Sequence, residues 1–481
     1  MQNEPVITER APKPHKGDVL TLTTSSVAFE GKAVSRRSDG FVIFIEGALA
    51  NETVETEITR VKSSFAEART IKIVASSPDR REPICPYFGP CGGCSLQHME
   101  YQAQLAAKTA QVREVFERIG KISDPPVRNT LGDPSREYYY RNKMEFSFSE
   151  ERWLTPEEIA SGDVVDRFAL GLHVRGRYDR VLDTEVCFIA HPVAQRILAV
   201  TRSFTRENDL QVYDPDTKPE GLMRFLVVRT SLATNEIMVN IVTSRFDDQI
   251  MERYTQKLRT DIPEITTIVN NVNSRRAQVA QGEKEYTIYG SGFITDRIGQ
   301  IAFRISANSF FQTNTKQAEL LYQVGKEYAD LKPDDIVWDL YCGTGTIASY
   351  IAPQVKSVLG IEMAESAIAD AKENAIRNAI ANVKFIAGDL RKVLLSDSIP
   401  SAFHTPNALM IDPPRSGMHP DVIKTIVDLG PERISYISCN PATQARDVAL
   451  LLEKYDLIAL QPVDMFPQTW HIECVAKLIR R

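Results

Sequence analysis

Cys439 stands in the stretch Ile437-Ser438-Cys439-Asn440-Pro441. Residues 434–437 read as a buried strand, and a helical pattern starts directly after the stretch. Asn440 is a good N-cap, and Pro441 falls where the first helical residue belongs. The thiol is therefore expected at the mouth of a helix, at the carboxyl end of a strand. A cysteine there can act as a nucleophile, and the same niche also suits a small buried side chain. At an ordinary pKa of about 8.5 a thiol is only a few per cent thiolate at pH 7, a deficit of roughly 2 kcal/mol. A helix N-terminus contributes about 0.3 to 1 kcal/mol of this, so a nucleophilic role needs further help from its pocket.

A second group of thiols lies in Cys85-Pro86-Tyr87-Phe88-Gly89-Pro90-Cys91-Gly92-Gly93-Cys94. The glycines let the backbone wrap tightly and the prolines stiffen it. Three thiolates converging in this way suit a soft metal ion or an iron–sulfur cluster, and spacing does not choose between zinc and iron. A fourth ligand is missing locally. His98 follows Cys94 by four residues, and Cys187 is the other cysteine ahead of the C-terminal part.

The third constellation surrounds a glycine-rich turn. Val337-Trp338-Asp339-Leu340-Tyr341-Cys342-Gly343-Thr344-Gly345 is a strand running into a turn where the backbone can approach a ligand closely. Glu362 ends the next strand, where a carboxylate can accept hydrogen bonds from both hydroxyls of a ribose. Asp389, after a third strand, can meet an adenine amine. These features fit NAD and S-adenosylmethionine equally. What separates the two is Ile411-Asp412-Pro413-Pro414-Arg415 at the end of a fourth strand, an acid followed by a rigid proline corner. Hydride transfer has no need of it. Amine methyltransferases carry a similar acid-Pro-Pro followed by an aromatic residue. Here Arg415 stands in that place, which favours methylation of carbon.

These residues must be held by several units. The chain has 481 residues, 43% of them hydrophobic, and is too long for a single core. No apolar run is long enough to span a membrane. The net charge of -6 argues against a general nucleic-acid coat but allows local basic patches. Seven cysteines without a secretion signal favour metal or catalytic roles over a disulfide framework. The expected organisation is a polar tail over residues 1–16 and an OB-like barrel of five short strands over 17–78. A central cysteine-bearing, strand-rich domain follows over 79–304, including a helix over 97–120 that packs without doing chemistry. Within it, the stretch Arg136-Glu137-Tyr138-Tyr139-Tyr140-Arg141-Asn142-Lys143 interleaves aromatic and basic residues, a pattern that can stack bases and meet phosphates or else form an aromatic core face. His173 to Arg180 forms a second basic stretch. From residue 305 onward a helix over 315–329 and strand–helix alternation resemble the seven-stranded, doubly wound α/β class I methyltransferase fold.

Taken together, these motifs resemble the RNA uracil-5-methyltransferases that use S-adenosylmethionine. They most resemble the branch with an N-terminal TRAM barrel and a 4Fe–4S cluster, which includes 23S rRNA enzymes. The matching residues are Cys85, Cys91, Cys94 and Cys187; Phe311-Gln312; Asp339 with Tyr341; Glu362; Asp412-Pro413-Pro414-Arg415; Ser438-Cys439-Asn440-Pro441; and Phe466-Pro467-Gln468-Thr469-Trp470-His471-Ile472-Glu473. The resemblance implies that the four cysteines hold the cluster and that Gln312, Tyr341, Glu362 and Asp412 line the cofactor site. It implies Cys439 as nucleophile and Glu473 as base. Carbon 5 of uracil becomes nucleophilic when a thiolate adds to carbon 6, and a base must later remove the carbon 5 proton. The target base must leave its stack. Ribosomal RNA is the expected substrate, with tRNA as the alternative, and the protein is expected to be a cytoplasmic monomer without a membrane partner.

Overall fold

The computed structural model describes residues 12–163, 165–396 and 398–481. The first eleven residues of the expected polar tail lie outside this range. Among the described residues no helix is long and apolar enough to cross a membrane.

Alternating apolar residues over 19–75 build one curled sheet whose inner face holds Ile43, Ile45, Val54, Ile58, Ala66 and Ala68. It has six strands rather than five. The strand expected over 26–33 is broken after Val27 by the turn Phe29–Gly31 and resumes at Ala33–Arg36. Gly31 at φ +78° allows the break.

The next helix starts at Tyr101, not at residue 97, and runs over Tyr101–Arg118. The residues before it are drawn into a loop, with His98 O accepting from Arg81 N and Asp79 O accepting from Glu100 N. Val112 and Phe116 of this helix join the core under one face of the C-terminal sheet. It also carries Lys108, whose ammonium is buried against Asp464 at 2.6 Å, so the helix is more than packing.

The central domain is a seven-stranded sheet in the order Lys284–Tyr289, Thr267–Val272, Ile237–Thr243, Met223–Thr230, Lys143–Ser149, Ala169–Val174, Arg177–Asp183. The hairpin expected around Asn235 is present, with Asn235 at φ +57° in its turn. The strand-only reading of this domain misses the helices Val193–Glu207 and Asp248–Asp261, which cover one face of the sheet. The aromatic-basic stretch is not a strand before Lys143. Tyr139 takes φ +54° and is exposed, while Tyr140 turns into the core.

The C-terminal part matches its pattern closely. Seven strands lie in the order Val383–Ala387, Ser357–Glu362, Ile336–Leu340, Ala408–Ile411, Arg433–Ser438, Glu473–Arg480, Tyr455–Val463. The first five run parallel; Glu473–Arg480 is antiparallel to both of its neighbours. Both faces are covered. Val337, Val358, Met410 and Ile437 point to one core, and Trp338, Leu359, Leu409 and Tyr436 point to the other. This is why these strands read as continuous apolar runs. The helix Thr315–Ala329 begins where expected, with Asn314 accepting from Gln317 N. All the candidate acids and the candidate nucleophile therefore gather at the carboxyl edge of one parallel sheet.

Candidate active site

Cys439 follows the strand ending at Ser438 and immediately precedes the helix Pro441–Leu451. Asn440 caps that helix by accepting from Ala442 N at 3.1 Å, with Pro441 in its first turn, as expected. Asn440 Nδ2 and Thr443 Oγ1 also donate to Arg415 O, tying the proline corner to the cysteine turn. Ser438 pairs with Cys474, which brings Glu473 beside Cys439. Cys474 is fully buried on the opposite face.

Burial pushes the Cys439 thiol up to about 11, and the nearby Glu473 and Asp412 charges add to the shift. The positive charge of Arg415 opposes it. The arginine also reaches His471 Nδ1 at 3.2 Å. Burial first, then Asp412, holds the Glu473 carboxyl well above the usual carboxylate range. Asp412 itself is pushed up to about 7 by desolvation.

The glycine turn lies at the same edge. Gly345 at φ +72° is hemmed in, since a Cβ there would meet the Phe385 ring at 2.8 Å, whereas a Cβ at Gly343 would meet nothing within 4 Å. Glu362 Oε2 accepts from Gly343 N at 3.2 Å, and its Oε1 accepts from Ala364 N at 3.0 Å. Asp339 is fully buried, with Oδ2 on Ala348 N and Oδ1 lacking a partner. Burial and the Asp412 and Glu362 charges drive its carboxyl far upward. An open turn beside the carboxyl groups of Asp339, Glu362 and Asp412 fits a cationic ligand carrying a ribose, as S-adenosylmethionine does. Asp389 lies at the expected strand end but is engaged with Arg391, whose ion pair holds it down to about 2. Gln312 lies near Tyr322, a buried residue that sequence reading did not single out and that reaches Thr346 Oγ1 at 3.3 Å. Tyr341 adopts φ +64° at the start of the turn.

Cys85, Cys91, Cys94 and Cys187 line a single cavity of about 250 Å³, whereas His98 is not among its lining residues. All four thiols are free, and burial raises Cys91 to about 11 and Cys94 to about 12. Neutral buried thiols that share a cavity are what a cationic metal group would convert to thiolates. Among the described residues no three His, Cys, Asp or Glu side chains close on a single ion site. Four thiols lining one cavity are a donor set that a soft metal group could use.

The second basic stretch turns out to be largely neutralised. Arg177 pairs with Asp179, and Arg180 pairs with Glu151. Tyr178, at the hairpin tip, is 91% exposed.

The description tRNA (uracil-5-)-methyltransferase belongs to a family model that matches residues 221–481. An uncharacterized RNA methyltransferase of Chlorobaculum tepidum is 43% identical over 96% of both chains. One of Porphyromonas gingivalis is 40% identical over 95% of this chain and 99% of its own. Among solved structures, the Pyrococcus abyssi tRNA (uracil-54, C5)-methyltransferase in complex with S-adenosyl-L-homocysteine aligns with a TM-score of 0.73 at 26% identity. It covers 95% of this chain and 99% of that one.

Proposed function

The chain belongs to the RNA uracil-5-methyltransferase family, and from that premise we propose that it methylates carbon 5 of one uridine in 23S rRNA through a covalent adduct on Cys439. The observation that carries this reading is the placement of Cys439 beside Glu473, one step beyond the Ser438–Cys474 pair at adjacent strand ends, with the Arg415 charge close to the thiol.

S-adenosylmethionine, when bound, supplies the electrophilic methyl group. Gln312, Tyr341, Glu362, Asp389 and Asp412 hold it. Arg415 favours the thiolate of Cys439, which adds to carbon 6 of the flipped uracil. Carbon 5 would then take the methyl group as the sulfur–methyl bond breaks and S-adenosylhomocysteine leaves. Glu473 removes the carbon 5 proton, the electron pair re-forms the ring double bond, and the carbon–sulfur bond breaks to return the thiolate. Desolvation of Glu473 makes its carboxylate a stronger proton acceptor than an exposed one.

Cys85, Cys91, Cys94 and Cys187 would hold a 4Fe–4S cluster, whose contribution would be to fix this region's shape. The six-stranded sheet is taken as a TRAM-type module that, with the exposed Tyr139, meets flanking RNA. The protein acts as a cytoplasmic monomer. Ribosomal RNA is favoured because the barrel and the four-cysteine cradle occur together. A tRNA substrate is the second reading, supported by the full-length likeness to the Pyrococcus abyssi enzyme. Mapping 5-methyluridine in rRNA and tRNA from a deletion strain tests the choice. A methyl group missing from 23S rRNA alone is expected, and one missing from tRNA alone reverses the assignment.

A further inference from the structure

Residues 464–472 form a short segment that leads directly into Glu473 and is gripped from several sides. Lys108 Nζ donates to Asp464 Oδ1 at 2.6 Å, Asn314 Nδ2 to Met465 O at 3.0 Å, and Tyr140 Oη to Pro467 O at 3.0 Å. The grip nearest Glu473 comes from the residues that follow Cys94. Ser95 N and Leu96 N both donate to Gln468 O, at 2.9 and 3.0 Å, and Trp470 N donates to Ser95 Oγ at 3.0 Å. Gln468 is fully buried at φ +67°, a conformation that a non-glycine residue keeps only when its surroundings enforce it. Its side chain is fixed by Gln104 Nε2 at 3.0 Å, Arg81 Nη2 at 3.2 Å and Glu137 Oε2 at 2.9 Å.

We propose that the Cys94-Ser95-Leu96 segment is a strut that sets the position of Glu473, with Ser95 and Gln468 as positioning residues. This inference rests on the reading of Glu473 as the base. Ser95 is one residue from a thiol of the cysteine cavity, and Trp470 is three residues from the carboxylate. Few rotatable bonds separate the two ends, so a displaced cysteine loop displaces the base. The nucleophile is carried by a different strand and helix, which this contact does not touch; the segment meets the nucleophile's surroundings through His471 Nδ1, 3.2 Å from Arg415 Nη2. Loss of the strut should therefore impair proton removal from carbon 5 more than methyl transfer to it.

The test uses RNA carrying tritium at carbon 5 of uridine, with methyl incorporation and tritium release followed in the same single turnover. Ser95→Ala is expected to slow tritium release by between about tenfold and a hundredfold. Methyl incorporation should change little, and the methylated Cys439 adduct should accumulate. Ser95→Thr, which keeps the γ-oxygen, should restore release. Hydrogen exchange at residues 468–472 should quicken in Ser95→Ala while iron content and cofactor affinity stay the same. Equal behaviour of the Ala and Thr variants, or a parallel fall of both chemical steps, would overturn the proposal. Glu473→Gln run alongside separates the two possible failures. If it builds no adduct, the base assignment falls and this inference with it. If it does build adduct while Ser95→Ala behaves as wild type, the strut alone is wrong.

Discussion

Ser438 pairs with Cys474 across the antiparallel edge of the catalytic sheet, and that single register position sets Cys439 and Glu473 side by side. Side chains alternate along a strand, so burying Cys474 in the core turns Glu473 toward the cleft. A shift of one residue would exchange them. The nucleophile and base of the proposed reaction thus depend on the last strand's return against the strand ending at Ser438.

Arg415 opposes three influences that keep the Cys439 thiol protonated. With the thiol pushed up to about 11, the ionised fraction at neutral pH is small and grows as pH rises. Adduct formation should accordingly accelerate with pH between about 6 and 9, close to tenfold per unit where thiolate supply limits the rate. Arg415→Gln should slow it throughout, by at least about tenfold. Rapid-quench adduct measurements across pH check this, and a flat profile with an unimpaired Arg415→Gln variant would contradict it.

Asp412 is pushed up to about 7 in the ligand-free cleft. A cationic cofactor favours its ionised form and lowers that value on binding. Cofactor affinity should therefore be full above pH 7 and weaken by up to about tenfold per unit below it, with proton uptake by the free enzyme competing with binding. Calorimetry in buffers of different ionisation enthalpy should detect proton release near pH 6.5. Affinity independent of pH between 5.5 and 8 would remove Asp412 from this role.

Lys108 and Asp464 form an ion pair in which the side chains are 1% and 0% exposed. Lys108→Met leaves a buried carboxylate unpaired and should cost about 3 to 5 kcal/mol. The double variant Lys108→Met with Asp464→Leu should recover much of that loss. Thermal unfolding of the three proteins tests it, and additive losses in the double variant would show that the pair is not coupled.

Protein purified without oxygen should contain about four irons per chain. Cys187→Ser should lose iron although Cys187 lies far from the other three cysteines in sequence, because it lines the same cavity. Stoichiometric zinc, or full iron in that variant, would remove the cluster assignment.

Much of this site was legible in the sequence because its positions are locally determined. Asn440 and Pro441 announce a helix start by their own chemistry. The strands before Gly343, after Lys356 and before Asp412 announce themselves as apolar runs because both of their faces are buried. Which tyrosine of the 138–140 run turns inward was not legible: three adjacent tyrosines flanked by basic residues give no sign that Tyr139 would twist to positive φ and send Tyr140 into the core. The helix Val193–Glu207 has no side-chain cap to mark its start, whereas Asp247 at the head of Asp248–Asp261 did offer such a signal. The contact between Ser95 and Trp470 joins residues 375 apart, and no local pattern in either segment points to the other.

The most direct measurement is denaturing electrophoresis of the Glu473→Gln variant after incubation with S-adenosylmethionine and unmodified substrate RNA. The account predicts a slow-moving protein–RNA band that resists denaturant and is lost when Cys439→Ala is added, because the adduct forms and cannot eliminate. Turnover by the Cys439→Ala single variant, or slowed turnover in Glu473→Gln with no adduct, would contradict it.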